Sequence, residues 1–206
     1  DEDLYDRKAG NGFKGAREKL PVEGTMIDAP NEQVAIENLK YVSHSGFGMV
    51  IAVGYHLGDV CADLAPGFPD TTYVTLDSVP ATVPGNLLPV TFAEEQGSFL
   101  AGLAAVLVSR SGRIGFVGGV DVPLIQRFRS GFEAGVAHAG TGSSIEVAWA
   151  GSFVSYSKGR EAALHLLDRG CDVLFHAAGS AGRGVIREAS DHGAWAIGVD
   201  SDQSIL

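Results

Sequence analysis

Arg113-Ile-Gly-Phe-Val-Gly-Gly-Val-Asp-Val-Pro-Leu-Ile-Gln-Arg-Phe128 is the stretch that decides the fold. After Arg113, residues 114–118 form an apolar run with no polar alternation, which is how a strand covered on both faces reads. Gly119 and Asp121 follow. A helix is then predicted from Val122 to Ala139. The same layout recurs downstream: strand Ile145–Ala150, helix Ser157–Asp168, strand Asp172–Ala177, helix Gly182–His192, and strand Ala194–Val199 ending in Asp200. Upstream, the end of a helix at Asn11–Leu20 stops at Pro21, and a short strand is predicted at Gly24–Ala29. Asn31 can cap a helix carrying Val34, Ile36, Leu39 and Val42. Gly48–Val53 reads as a fully buried strand, His56–Leu64 as a helix, and Thr72–Leu76 as a strand ending in Asp77. Leu87–Phe92 reads as a strand in which Pro89 marks an edge. Glu94–Ser109 is a helix with a small-residue face of Gly97, Ala101, Gly102, Ala104 and Ala105.

Strands alternating with helices imply parallel sheets covered on both faces. The βα layout is used twice, so the expected class is α/β with two doubly wound parallel-sheet lobes. Their bounds are 1–92 for the first lobe and 93–206 for the second.

Composition agrees. A length of 206 residues allows one large domain or two small ones, and 45% hydrophobic residues supply a core. The 28 glycines suit a chain with many strand-to-helix turns. With 15 basic against 25 acidic residues and no Lys/Arg cluster, nothing matches a phosphate backbone, so nucleic acid is not an expected partner. The acidity also disfavours an anionic membrane surface, though not a neutral ligand. The longest apolar run, Phe99–Val108, falls short of the ~20 residues that span a bilayer. Cys61 and Cys171 form no CxxC pair, so no zinc site is expected, and both read as unpaired buried thiols.

In doubly wound sheets ligands bind at the carboxyl ends of the strands. Here those ends carry Gly54-Tyr55-His56, Asp77-Ser78, Gly118-Gly119-Val120-Asp121, Gly151-Ser152-Phe153, Phe175-His176-Ala177-Ala178-Gly179 and Asp200-Ser201-Asp202. Aromatics can stack on a flat base, carboxylates can accept from hydroxyls, and glycines admit backbone amides. Enzyme signatures are missing: no G-x-S-x-G, no dinucleotide fingerprint on a first strand, no His-Glu-x-x-His. Gly179-Ser-Ala-Gly-Arg-Gly lacks the spacing of a phosphate loop and reads as a helix-entry turn.

Several ordered segments resemble the basic-membrane-protein family of solute-binding lipoproteins, which includes purine nucleoside receptors of bacterial ABC transporters. They are the 113–128 stretch, Gly131-Phe-Glu-Ala-Gly, Asp172-Val-Leu-Phe-His-Ala-Ala-Gly, Ala196-Ile-Gly-Val-Asp-Ser-Asp-Gln and Thr91-Phe-Ala-Glu-Glu-Gln-Gly-Ser-Phe-Leu-Ala-Gly. The resemblance implies a type I periplasmic-binding-protein fold that closes on its ligand. It also implies a nucleoside as ligand, an ABC transporter permease as partner, and no catalysis or cofactor. The protein would be a monomer at the cell surface or in the periplasm, attached to the membrane only through a lipid anchor outside this chain.

Carried over by position, the early aromatic and amide match Tyr5 and Asp6, the aspartate after an early strand matches Asp77, the second stacking aromatic matches Phe175, the turn after it matches Gly179, and the ribose-binding aspartate matches Asp200. The family has Phe and Asn where this chain has Tyr5 and Asp6. An ionised Asp accepts only, so base preference stays open. The family also has a strand before the early motif and further crossings after Asp-Ser-Asp-Gln, so the 206 residues read as part of a longer protein.

Plainer readings stand beside these. Tyr5 also suits a helix surface, Asp77 and Asp200 suit turns, and Phe175 suits the core. His176 reads as structural rather than a catalytic base, Asp121 and Asp202 as turn residues, and Phe153 as either a cleft residue or loop packing. A ligand-sensing domain of a transcription regulator, or a binder of a sugar or another small solute, shares the same pattern.

Overall fold

The computed structural model describes residues 4–204, with side chains from Lys8 onward. The chain divides into two compact units: Lys8–Phe92, called the first unit, and Ala93 onward, called the second, to which the start of the first helix up to Arg7 is also assigned.

In the first unit, α1 (Leu4–Lys19) is followed by α2 (Glu32–Ser43), β1 (Met49–Val53), α3 (Gly58–Leu64), β2 (Thr72–Leu76) and β3 (Leu87–Val90). Asn31 caps α2 as expected: its side chain accepts from the Val34 amide at 3.0 Å. The sheet order is β1-β2-β3, all parallel. Pro89 lies on the edge strand β3 opposite Thr75, where a missing N–H is tolerated.

Two expectations are corrected. Gly24–Ala29 is not a strand. Among the described residues no strand pairs with it, and it runs along α1 instead, with Met26 over Gly10 and Phe13 over Gly24. A strand is defined by its ladder, which an apolar pattern alone does not supply. Nor is β1 buried on both faces. Val50 and Ala52 join Leu39, Cys61, Tyr73 and Leu87 in a core under α2 and α3, whereas Met49 and Ile51 are more than half exposed.

The second unit holds α4 (Glu94–Val108), β4 (Arg113–Gly118), α5 (Pro123–His138), β5 (Ser144–Trp149), α6 (Tyr156–Asp168), β6 (Val173–Ala177), α7 (Gly182–Asp191) and β7 (Trp195–Ile197). The strands are parallel in the order β5-β4-β6-β7. Side chains alternate across this sheet. Ile114, Phe116, Val173, Phe175 and Ala177 face one core with Phe132 and Val136 of α5. Val117 and Leu174 face the other, with Ala163 and Leu166 of α6 and Val185 of α7. The apolar runs of β4 and β6 are therefore strands covered on both faces.

Helix pairs approach closely where glycine removes the side chain. A Cβ on Gly131 would stand 2.2 Å from the Glu95 carbonyl oxygen, and one on Gly135 2.1 Å from that of Phe99. Arg127 bridges to the buried Glu94 at 3.1 Å, tying α5 to α4. On the other face the Arg160 guanidinium pairs with the buried Glu188, tying α6 to α7. At the amino-terminal end of the sheet, Asp172 accepts from the Ser109 hydroxyl and the Arg110 and Ser111 amides at 2.6, 2.6 and 2.8 Å. Burial alone would raise its pKa, but these donors outweigh it and hold the carboxyl below its ordinary range. Cys61 and Cys171 are free and buried, and burial pushes each thiol up to about 11. Among the described residues no helix is long and apolar enough to cross a membrane.

Candidate functional site

The β5-β4-β6-β7 order places the switch point of the second unit between β4 and β6, because the chain leaves β4 toward β5 and returns to the other side for β6. Helices leave that point in opposite directions, so their amino termini open a crevice at the strand ends. The ladder there runs one step past the strands, with the Gly119 amide donating to the Ala177 oxygen at 2.9 Å. Phe153 lies over this point. A Cβ on Gly119 would stand 2.4 Å from the ring and 3.2 Å from the Ala178 Cα. The Phe153 oxygen accepts from the Ala181 amide at 2.9 Å, and the Ser152 hydroxyl oxygen accepts from the Ser155 amide at 3.0 Å. The half-buried ring is thus held at the sheet's mouth by both neighbouring loops.

Gly179 opens the short 3-10 turn Gly179–Ala181 before α7, with φ 53°, a left-handed value that glycine adopts without strain. Asp200 is exposed just past β7, with φ 65°. Phe175 is placed differently from its expected role. It is 3% exposed and packs between Phe132 at 4.9 Å and Phe116 at 5.8 Å. It shares the core-facing parity of Val173 and Ala177, so it is core, and a base has no open face of this ring to stack on. His176, fully buried on the opposite face, has its pKa lowered to about 4, chiefly by burial and only partly offset by its hydrogen bond to Gln203. It is neutral near neutrality and bonded to an amide, which is a structural histidine.

In the first unit the strand ends carry Tyr55 and Asp77. Asp77 follows β2 with φ 62°, and its amide donates to the Val90 oxygen at 2.9 Å. The next residue braces the turn: the Ser78 hydroxyl donates to the Tyr55 oxygen, and the Thr75 hydroxyl to the Ser78 oxygen, both at 2.8 Å. Tyr55 is half-buried, and its hydroxyl pKa is raised by burial and by the charge of Glu32. The side chains of Tyr5 and Asp6 lie outside the described residues.

Asp77 and Asp200 are the only non-glycine residues at positive φ among the described residues. Such backbone costs of order 1–3 kcal/mol per residue and gathers at functional sites. Both carboxylates are legible in the sequence as strand-end residues. The sequence offers Phe153 and Phe175 alike, but Phe175 lies inside the apolar run of β6 with the core-facing parity of Val173 and Ala177, whereas Phe153 lies in a loop. Gln203, 7% exposed beneath the Asp200 turn, carries no such signal. Among the described residues no group of three or more His, Cys, Asp and Glu is arranged to hold a metal ion.

A family profile described as ABC transporter substrate-binding protein, PnrA-like (Bmp) matches residues 7–206. Basic membrane protein A1 of Borrelia garinii subsp. bavariensis is 32% identical over 210 residues, covering 100% of this chain and 62% of the relative. A solute-binding protein of an ABC transporter system from Aeropyrum pernix superposes with a TM-score of 0.85 at 25% identity, covering 98% of this chain and 60% of the other. GanP, a glucose-galactose binding protein from Geobacillus stearothermophilus, shares the fold with a TM-score of 0.79 at 20% identity, covering 100% and 76%. The chain spans less than two thirds of the length of the first two. It belongs to the Bmp family of ABC transporter substrate-binding proteins, a family of binders and not of enzymes.

Proposed function

We propose that this chain is the ligand-holding part of an extracytoplasmic solute-binding protein that captures a nucleoside, a purine nucleoside first, and delivers it to the permease of an ABC transporter. The observation that carries the reading is the pair Asp77 and Asp200. Each stands at the carboxyl end of a parallel strand in a left-handed backbone conformation that few residues with a side chain adopt. Glycine meets that conformation without cost, and aspartate is one of the few other residues that tolerate it. Retaining a carboxylate there fits a group held to accept from hydroxyls. Asp200 is proposed to accept from the ribose, Asp77 from the base or sugar, and the Gly179 turn to offer backbone amides. The aromatic surface is assigned to Phe153 at the switch point in place of the buried Phe175. Tyr5 and Asp6 stay in the proposed site on the strength of the family resemblance.

No bond is made or broken in this function, and no cofactor takes part. Capture by closure requires only that the ligand bind one conformational state better than another. The whole protein is proposed to act as a monomer outside the cytoplasm, held to the membrane by a lipid anchor outside this chain.

The test is a thermal-shift and calorimetric panel of purine and pyrimidine nucleosides, free bases, simple sugars and amino acids. A cognate nucleoside at 100 times its Kd stabilises by about 2.7 kcal/mol. A flat response to every nucleoside beside a clear response to a sugar or an amino acid overturns the assignment.

A further inference from the structure

Asp200 sits in the loop Val199-Asp-Ser-Asp-Gln203, and the two ends of that loop are tied by one side chain. The Val199 amide points at the Gln203 carboxamide at 3.0 Å. A backbone N–H only donates, so the atom it meets is the carbonyl oxygen. The same oxygen lies 3.1 Å from Nε2 of His176. Nε2 must then carry the proton, which agrees with a buried, neutral ring. His176 is fully buried on β6, a central strand. The turn itself is tight, with the Ser201 amide donating to the Val199 oxygen at 2.7 Å across Asp200. Gly198 makes the arrangement possible, because a Cβ there would stand 2.2 Å from the Gln203 oxygen.

We propose that Gln203 is a positioning residue for the ligand-binding carboxylate. Its amide oxygen pins the Asp200 turn to the rigid β6–β7 pair and fixes where the carboxylate points. The inference rests on the reading of Asp200 as the sugar-binding group. An exposed aspartate at positive φ has many alternatives in an untied loop. Two hydrogen bonds to one buried oxygen remove them before ligand arrives, and such preorganisation lowers the ordering cost of binding.

The experiment measures calorimetric Kd values for a nucleoside and its free base in the purified protein and in five variants. Gln203→Met keeps the volume but has no carbonyl acceptor. It should weaken the nucleoside about tenfold, the scale of one lost hydrogen bond, and the free base less than about twofold. Gln203→Glu keeps an acceptor oxygen and should recover the nucleoside to within about threefold. Gly198→Ala sets a methyl against the Gln203 oxygen and so breaks the same tie with Gln203 itself unsubstituted; it should reproduce the selective loss, so the inference does not hang on one variant's folding. Asp200→Ala and the double variant Asp200→Ala/Gln203→Met should bind the nucleoside alike, because a pin has nothing left to position. Equal losses for nucleoside and base in Gln203→Met, or a loss that multiplies on top of Asp200→Ala, overturns the inference. If Asp200→Ala weakens the nucleoside and neither Gln203→Met nor Gly198→Ala does, the inference alone fails. If Asp200→Ala leaves the nucleoside untouched, the sugar-binding reading fails and takes the inference with it.

Discussion

Asp77 and Asp200 hold φ values of 62° and 65°, where a Cβ crowds the following carbonyl and costs roughly 1–2 kcal/mol. Glycine has no such cost, and aspartate bears it better than alanine because its short polar side chain bonds locally. The two roles of the residue are therefore separable. Asp200→Gly should leave unfolding stability unchanged or raise it by up to ~1 kcal/mol, while Asp200→Ala should lower it by about 1 kcal/mol. Both should lose nucleoside affinity to a similar degree. Urea unfolding and calorimetry on the two variants check this. A glycine variant that keeps full affinity would return Asp200 to a plain turn residue. The carboxylates could be found in the sequence because each directly follows a segment that reads as a strand. Their backbone strain could not, since φ depends on how the next segment leaves the strand. The choice between Phe153 and Phe175 was open for a related reason. Phe175 aligns with Phe116 across the β4–β6 ladder, a pairing set by register between distant segments.

Among the elements, the helix pair α4–α5 shows how far composition reads and where it stops. The sequence marks a small-residue face on α4, of which Gly102 and Ala105 are buried while Gly97 and Ala104 are exposed. The close approach is made as much by Gly131 and Gly135 of the facing helix. A stripe of small residues can be counted, but its partner's register cannot. Two glycine-to-alanine changes should therefore have opposite signs. On Gly131 the new methyl meets backbone atoms of Glu95 that cannot swing aside, and Gly131→Ala should destabilise by about 1–3 kcal/mol. Gly97 has nothing within 4 Å of its Cβ position, and Gly97→Ala should stabilise by roughly 0.5–1 kcal/mol through helix propensity alone. Chemical unfolding of the pair, on one background, decides it. Losses of equal size would mean that Gly97 is packed after all. The strand expected at Gly24–Ala29 failed on the same ground, since its apolar character was visible and the lack of a pairing strand was not.

Over the whole molecule, the α/β class followed from the repeated strand-and-helix alternation, and the parallel sheets of both units follow from it. The polar interior was not legible, because His176 and Gln203 lie 27 residues apart and meet only through β7. That pair sets how stability should depend on pH. Burial lowers the His176 pKa to about 4, whereas an unfolded histidine titrates near 6.5. Above 6.5 both states hold the ring neutral and its contribution is complete. Between 6.5 and about 4 the unfolded chain takes up a proton that the folded chain refuses, so stability falls as pH falls through this window. Asp172, held below the ordinary carboxylate range, adds its own loss only at lower pH, as it protonates in the folded state. The two limbs are therefore distinct. His176→Gln keeps an N–H donor for Gln203 and cannot titrate. It should flatten the dependence of urea-unfolding free energy between pH 6.5 and 4.5 while leaving the steeper loss below pH 4 in place. An unchanged slope in the upper window would mean that the buried ring is not what couples this fold to protons.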